Sequence, residues 1–177
     1  MTDDARLLPT VRVLPLSMAH APQFVGVAQR GEVLYRAAGI GPPSSEKAVA
    51  ALIRRATSGR SQATVIFASD TESVSGLILS RRNSNHDGLC DVLSYWALPG
   101  WEGRGIMAAG LLAYIAQSNR FGDVAWLEAQ VEPSNHRSTK LLKRNGFTSQ
   151  GQREMLMWHG WRDVCIWRLP LRRYLST

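Results

Sequence analysis

The segment Leu98-Pro-Gly-Trp-Glu-Gly-Arg-Gly-Ile-Met-Ala-Ala109 constrains this chain more than any other. The residues before it, Leu89 to Leu98, are apolar enough for a strand, and after it Ile106, Ala109, Leu112, Ala113 and Ala116 recur at helical spacing. A strand that runs into a glycine-rich turn and opens a helix presents first-turn N–H groups with no intrahelical acceptor. The helix dipole adds to them, so such a turn attracts phosphate. Gly103 and Gly105 let the backbone approach an anion with no Cβ in the way, and Arg104 supplies positive charge. The same residues also suit a plain strand-to-helix connection, so the context has to decide. A P-loop is excluded because no Gly-Lys is followed by Ser or Thr. Gly103-Arg-Gly105-Ile-Met-Ala108 formally meets the dinucleotide fingerprint, with Glu128 at ribose-contact spacing. That fingerprint normally opens a series of βαβ units, whereas this turn sits mid-chain behind hairpins, with too little chain after it for a doubly wound domain.

The flanking chain predicts a mixed, mostly antiparallel sheet. Val11 to Leu16 reads as a first strand, and Ser17 is placed to cap a helix reaching about Gln29. Ser44 and Ser45 precede a second helix, Glu46 to Ala56, whose leading acid suits the helix dipole. Gln62 to Ala68, Val74 to Ser80 and Leu89 to Leu98 form a meander across turns at Ser69–Ser73 and Asn83–Gly88. A helix from about Gly103 to Asn119 follows, then a strand at Val124 to Val131. Next comes a short helix, Asn135 to Arg144, stopped by Asn145-Gly146. Two closing strands, Phe147 to Trp158 and Arg162 to Leu171, join through a turn at His159-Gly160. The expectation is an α/β fold of about seven strands flanked by about four helices, forming one domain over residues 1–177.

Composition removes other classes. No apolar run approaches the roughly 20 residues of a membrane span, and MTDDARLLPT lacks the apolar core of a secretory signal. Cys90 and Cys165 form no C-x-x-C and have no ligand cluster beside them, which argues against a disulfide framework and a zinc site and favours a reducing cytoplasm. The formal net charge of +7 favours anionic partners. No block of five Lys/Arg occurs, so a nucleic-acid tail is not indicated.

In order and spacing, these motifs resemble the GNAT N-acetyltransferases, and within them the RimJ/RimL-type branch that acetylates ribosomal-protein N-termini. The resemblance is carried by Tyr95-Trp96, Glu102-Gly-Arg-Gly105-Ile-Met107, Asn135-His-Arg-Ser138, Leu141-Leu-Lys-Arg-Asn-Gly-Phe147 and Asp163-Val164. It is strong over residues 89 to 169, and the first 80 residues match in layout. It implies acetyl-CoA as cosubstrate, with no metal. The pyrophosphate would lie on Gly103, Arg104, Gly105, Ile106, Met107 and Ala108. The pantetheine arm would lie between splayed fourth and fifth strands, along Trp96, Ala97 and Leu98, and against Asn135. Two positions depart from the family pattern: Glu102 stands where Gln or Arg is usual, and Met107 where Gly or Ala is usual.

By the same resemblance Ser138 is placed to protonate the leaving thiolate, a role other members give to tyrosine; otherwise it is a helix-surface serine. Glu154 lies where a general base is expected. The register of its strand leaves Met155 as the competing occupant, and Asp91 and Glu128 are alternative carboxylates. His20, His86, His136 and His159 read as surface residues. Trp96, Trp101, Trp158 and Trp161 read first as packing and second as walls of a substrate cleft. The expected acceptor is a primary amine, with a protein or peptide N-terminus, acidic or ribosomal, ahead of a small molecule such as an antibiotic, amino acid or polyamine. A homodimer is compatible with the resemblance, and a non-catalytic acetyl-CoA-binding module of the same fold is the alternative from another class.

Overall fold

The computed structural model describes residues 7–28, 45–56, 61–85, 87–117, 122–157 and 160–171. Strands β1 (Val11–Pro15), β2 (Ser61–Ala68), β3 (Val74–Asn85), β4 (Gly88–Ala97), β5 (Trp126–Val131), β6 (Thr148–Met157) and β7 (Gly160–Pro170) form one sheet. Their order across it is β1-β2-β3-β4-β5-β7-β6. Among the described residues the α-helices are α1 (Ala21–Ala28), α2 (Glu46–Ala56), α3 (Ile106–Ala116) and α4 (His136–Arg144). Every pairing is antiparallel except β4 with β5. That parallel pair requires a crossover, which α3 supplies. The mixed, mostly antiparallel architecture is the one the sequence predicts.

Strand alternation divides the core in two. On one face Ile66, Ile78, Leu93 and Leu127 pack with Ile106, Leu111 and Tyr114 of α3. On the other, Val65, Leu77 and Trp96 pack with Phe24 of α1 and Val49 of α2. Fully burying an aliphatic chain such as Ile66 or Leu77 contributes about 1.5–3 kcal/mol. Helix α3 is apolar nearly all round because it lies close on the sheet. At Gly110 a Cβ would collide with the Ile66 side chain, so the glycine sets how near α3 approaches β2.

Three boundaries differ from expectation. The polar run Asn83-Ser-Asn85 is strand, because Asn83 pairs with Cys90 and Ser84 with Leu89, and the turn closes directly between Asn85 and Gly88. The helix predicted from Gly103 begins at Ile106, because Gly103 (φ 73°) and Gly105 (φ 79°) are left-handed and cannot continue a right-handed helix. Gly160 belongs to β7 opposite Met157 rather than to the turn expected at His159-Gly160. Ser17 precedes a short 3₁₀ turn, Met18–His20, and α1 follows with Pro22 in its first turn, where the missing N–H costs nothing. Ser45 caps α2, its Oγ accepting from Ala48 N at 3.2 Å. Gln29, Ser44, Asn119, Trp158 and His159 lie outside the described residues.

The feature that positions a site is the incomplete β4–β5 ladder. The strands pair only from Cys90 opposite Trp126 to Leu93 opposite Ala129. Beyond that, Ser94 to Ala97 remain paired with β3, and Gln130 and Val131 with β7. The two halves of the sheet therefore part at this point, and the turn into α3 stands at the mouth of the opening.

Candidate active site

The turn joining β4 to α3 is held by its own polar groups. Trp101 N donates to Leu98 O at 3.0 Å, and Gly100 N donates to Glu102 Oε2 at 2.7 Å. Glu102, the departure that most threatened a phosphate site, thus has its carboxylate directed back onto the backbone of Gly100. The first intrahelical bond of α3 is Ala109 N to Gly105 O at 3.0 Å. The amides of Ile106, Met107 and Ala108 consequently have no helical acceptor. Gly103, exposed, has nothing within 4 Å of where a Cβ would stand, whereas at Gly105 a Cβ would meet Pro9 Cδ at 3.1 Å. Arg104 is exposed, and its guanidinium carbon lies 5.2 Å from the Trp101 ring centroid, within cation–π range. Met107, the second departure, packs over β3, with its sulfur 3.0 Å from the Cβ position of Gly76. Its bulk is directed into the sheet, and its N–H stays in the turn.

On the β4 side of the opening, Leu98 is fully engaged, its N–H with Ser75 O at 2.9 Å and its C=O with Trp101 N. Antiparallel alternation then turns the backbone groups of Trp96 toward β3 and those of Tyr95 and Ala97 toward the opening. Of Trp96, Ala97 and Leu98, Ala97 alone presents backbone polar groups to the gap. Tyr95 does so as well, and the sequence marked it only as part of a resemblance. The Trp96 side chain is buried in the α1–α2 core, which bears out its packing role. Trp101 is half-buried and Trp161 is exposed on β7.

The other wall is α4. Asn135 caps it, Oδ1 accepting from Ser138 N at 3.1 Å, which leaves the side-chain amide donors available for a second partner. Ser138 is half-buried one turn along, and its hydroxyl neighbours the Tyr95 phenol. The Tyr95 hydroxyl is buried and makes no hydrogen bond among the described residues. Burial pushes the phenol up to about 12, and the neighbouring Ser138 hydroxyl acts against that shift.

The three carboxylates separate cleanly. Asp91 is buried and takes Arg82 Nε on Oδ1 at 3.0 Å and Arg82 Nη2 on Oδ2 at 3.4 Å. Glu128 is buried and takes Arg168 Nε on Oε2 at 3.0 Å and Gln130 Nε2 on Oε1 at 3.2 Å. Both oxygens of each are already acceptors. Glu154 is exposed on the edge strand β6, opposite Asp163. Register places Glu154 and Met155 on opposite faces of that strand. His20 is half-buried, with Nδ1 accepting Ser17 N at 3.0 Å, and His136 is exposed at the start of α4. His86 and His159 lie outside the described residues. Among the described residues, no group of three or more His, Cys, Asp or Glu could hold a metal ion.

The acetyltransferase (GNAT) domain family matches residues 11–148, which is most of the chain. The chain belongs to the GNAT acetyltransferase family. As a GNAT enzyme it is an acetyl-CoA-dependent acetyltransferase. The left-handed glycines, the uncapped α3 amides and the parted strands all fit that cosubstrate. Solved structures share the fold. The Salmonella typhimurium acetyltransferase that modifies the N-terminal serine of ribosomal protein L7/L12 superposes with TM-score 0.76 at 18% identity, covering 92% of this chain and 96% of that one. RimL, the ribosomal L7/L12 α-N-protein acetyltransferase, in complex with coenzyme A gives 0.75 at 16%, over 92% and 94%. Mycobacterium smegmatis RimJ in complex with a CoA disulfide gives 0.73 at 20%, over 94% and 85%. At these identities the likeness is one of fold. No curated protein sequence matches the chain. No helix among the described residues is long and apolar enough to cross a membrane.

Proposed function

We propose that this GNAT enzyme transfers the acetyl group to a primary amine, and that the amine is the α-amine of a protein or peptide N-terminus. The observation that carries the reading is the parted β4–β5 pair, with a glycine cradle at its mouth and Ser138 on its far wall. The backbone amides of Ile106 to Ala108, with Arg104, hold the pyrophosphate. Ala97 and Asn135 fix the pantetheine arm, which places the thioester in the opening. Acetyl-CoA supplies the activated acetyl group, coenzyme A leaves as the free thiol, and the protein contributes orientation and proton handling. The amine nitrogen bonds to the acyl carbon as the carbon–sulfur bond breaks. Ser138 gives its hydroxyl proton to sulfur and regains one from solvent. Glu154 is the proposed acceptor for the amine proton, because Asp91 and Glu128 have both oxygens committed.

The N-terminal acceptor is supported by fold neighbours whose substrates are ribosomal proteins, and by the +7 charge, which attracts an acidic partner and repels a polycationic amine. Residues 1–177 act as one catalytic domain in a reducing cytoplasm. The test is a panel of N-terminal peptides, acidic and neutral, set against small amines, reading free thiol at saturating acetyl-CoA. Acidic peptides should give the highest kcat/KM, falling between 0.1 and 1 M salt as the Debye length shrinks from about 10 to about 3 Å. Glu154→Gln should slow turnover of every acceptor. Highest efficiency with a polycationic amine would overturn the N-terminal reading.

A further inference from the structure

We propose that Tyr95 is a positioning residue for the reaction: its phenol, reaching across the parted strands, donates to Ser138 Oγ and holds the seryl proton toward the departing thiolate. This rests on the reading of Ser138 as the acid. Tyr95 stands on β4 beyond the last pair with β5, and Ser138 on the first turn of α4, which follows β5. The two side chains therefore belong to the two walls of the opening, far apart in sequence and joined only by the fold.

Three observations support the assignment. The Tyr95 hydroxyl is buried without a hydrogen bond among the described residues, although its ring packs against the α3-side core. A buried hydroxyl left so carries a desolvation cost that a Phe in the same place would avoid. Its neighbour is the side chain whose proton the reaction needs, and the Ser138 backbone is already fixed by the Asn135 cap. Finally, burial keeps the phenol protonated up to about 12, so Tyr95 remains a donor at any working pH and keeps its own proton throughout.

A seryl hydroxyl can rotate, and only some rotamers aim its proton at sulfur. A donor on Oγ occupies one lone pair and leaves the seryl O–H to point elsewhere, which is toward the opening. No bond to Tyr95 is made or broken. The proton that reaches sulfur is that of Ser138.

The experiment compares Tyr95→Phe, Ser138→Ala and the double variant at saturating acetyl-CoA and acceptor, with coenzyme A affinity and thermal melting measured in parallel. Tyr95→Phe should lower kcat roughly three- to tenfold, the size of one hydrogen bond, with coenzyme A Kd within about twofold of wild type. Its melting temperature should stay near wild type, because the lost bond to Ser138 is offset by the desolvation cost of the phenol removed with it. Ser138→Ala should lower kcat by about 10²–10⁴, and adding Tyr95→Phe should cost nothing more. Wild-type kcat in Tyr95→Phe, a multiplicative double variant, or a kcat loss that merely tracks a lower melting temperature would overturn the proposal. Wild-type turnover in Ser138→Ala would instead remove the acid reading on which it rests.

Discussion

The two ends of the β4–β5 pair use polar residues in opposite ways. At the closed end, where Cys90–Leu93 meet Trp126–Ala129, the charged side chains are paired with one another. Arg82 is paired with Asp91, Arg168 with Glu128 and Asp87, and Arg168 also lies 4.6 Å from the Trp126 ring centroid. At the open end the facing groups are neutral: the Ala97 backbone, the Tyr95 and Ser138 hydroxyls and the Asn135 amide. A charge in the sheet must be matched or it destabilises the fold, so a closed-end carboxylate is poorly placed to take a substrate proton. A neutral hydroxyl can stay unmatched at smaller cost and remain available. The difference teaches that the buried acids of this sheet are committed to ion pairs, which supports placing the proposed chemistry where the ladder stops.

The largest effect that could break this division lies at the closed end. Arg168→Met leaves Glu128 buried and unpaired, which should cost about 3–5 kcal/mol. At about 2–4 °C per kcal/mol for a chain of this size, melting should fall by roughly 10 °C. Coenzyme A affinity, measured well below the melt, should stay within about twofold. Adding Glu128→Leu should recover most of the stability, because no buried lone charge then remains. Loss of coenzyme A affinity in the stable double variant would mean that the closed end also serves the site.

The smallest effect sharpens the comparison at the mouth. Glu102→Gln preserves a side-chain oxygen for Gly100 N–H and removes one negative charge beside the phosphate cradle. An exposed charge at a helix N-terminus is worth about 0.3–1 kcal/mol. Coenzyme A should therefore bind about two- to fivefold tighter, most visibly at low salt. Weaker binding would show that Glu102 contributes to the cradle rather than opposing it.

Much of this was legible because it is local. Strand alternation from Gln62 to Leu98, the glycine turn, the helix start after Ser45 and the Asn145-Gly146 stop are each set by neighbours a few residues apart. The missed parts depend on long-range pairing. Asn83-Ser-Asn85 has turn composition, yet the β4 ladder holds it extended. The faces of Glu154 and Met155 could not be read, because the ladder shifts between Ser149 and Gln152, where Gly151 has φ 95°. Such a bulge breaks the period-two count on which any reading of faces rests. Glu102 could be seen as an acid beside a phosphate turn, but its bond to Gly100 requires the folded turn. Tyr95 was noticed for its place in a motif. Its proposed partner Ser138 lies beyond a helix and a strand, and no spacing rule connects them.

The central claim is that the left-handed turn before α3 receives the coenzyme A pyrophosphate. Calorimetric titration of coenzyme A into Gly105→Val, beside wild type and Gly122→Val, tests it most directly. Gly105 and Gly122 both have positive φ, 79° and 56°, so valine strains each backbone, and only Gly105 belongs to the cradle. The account predicts that folded Gly105→Val binds at least about tenfold more weakly, a loss of about 1.4 kcal/mol or more, while Gly122→Val binds as wild type. Unchanged affinity in folded Gly105→Val, or an equal loss in Gly122→Val, would contradict it.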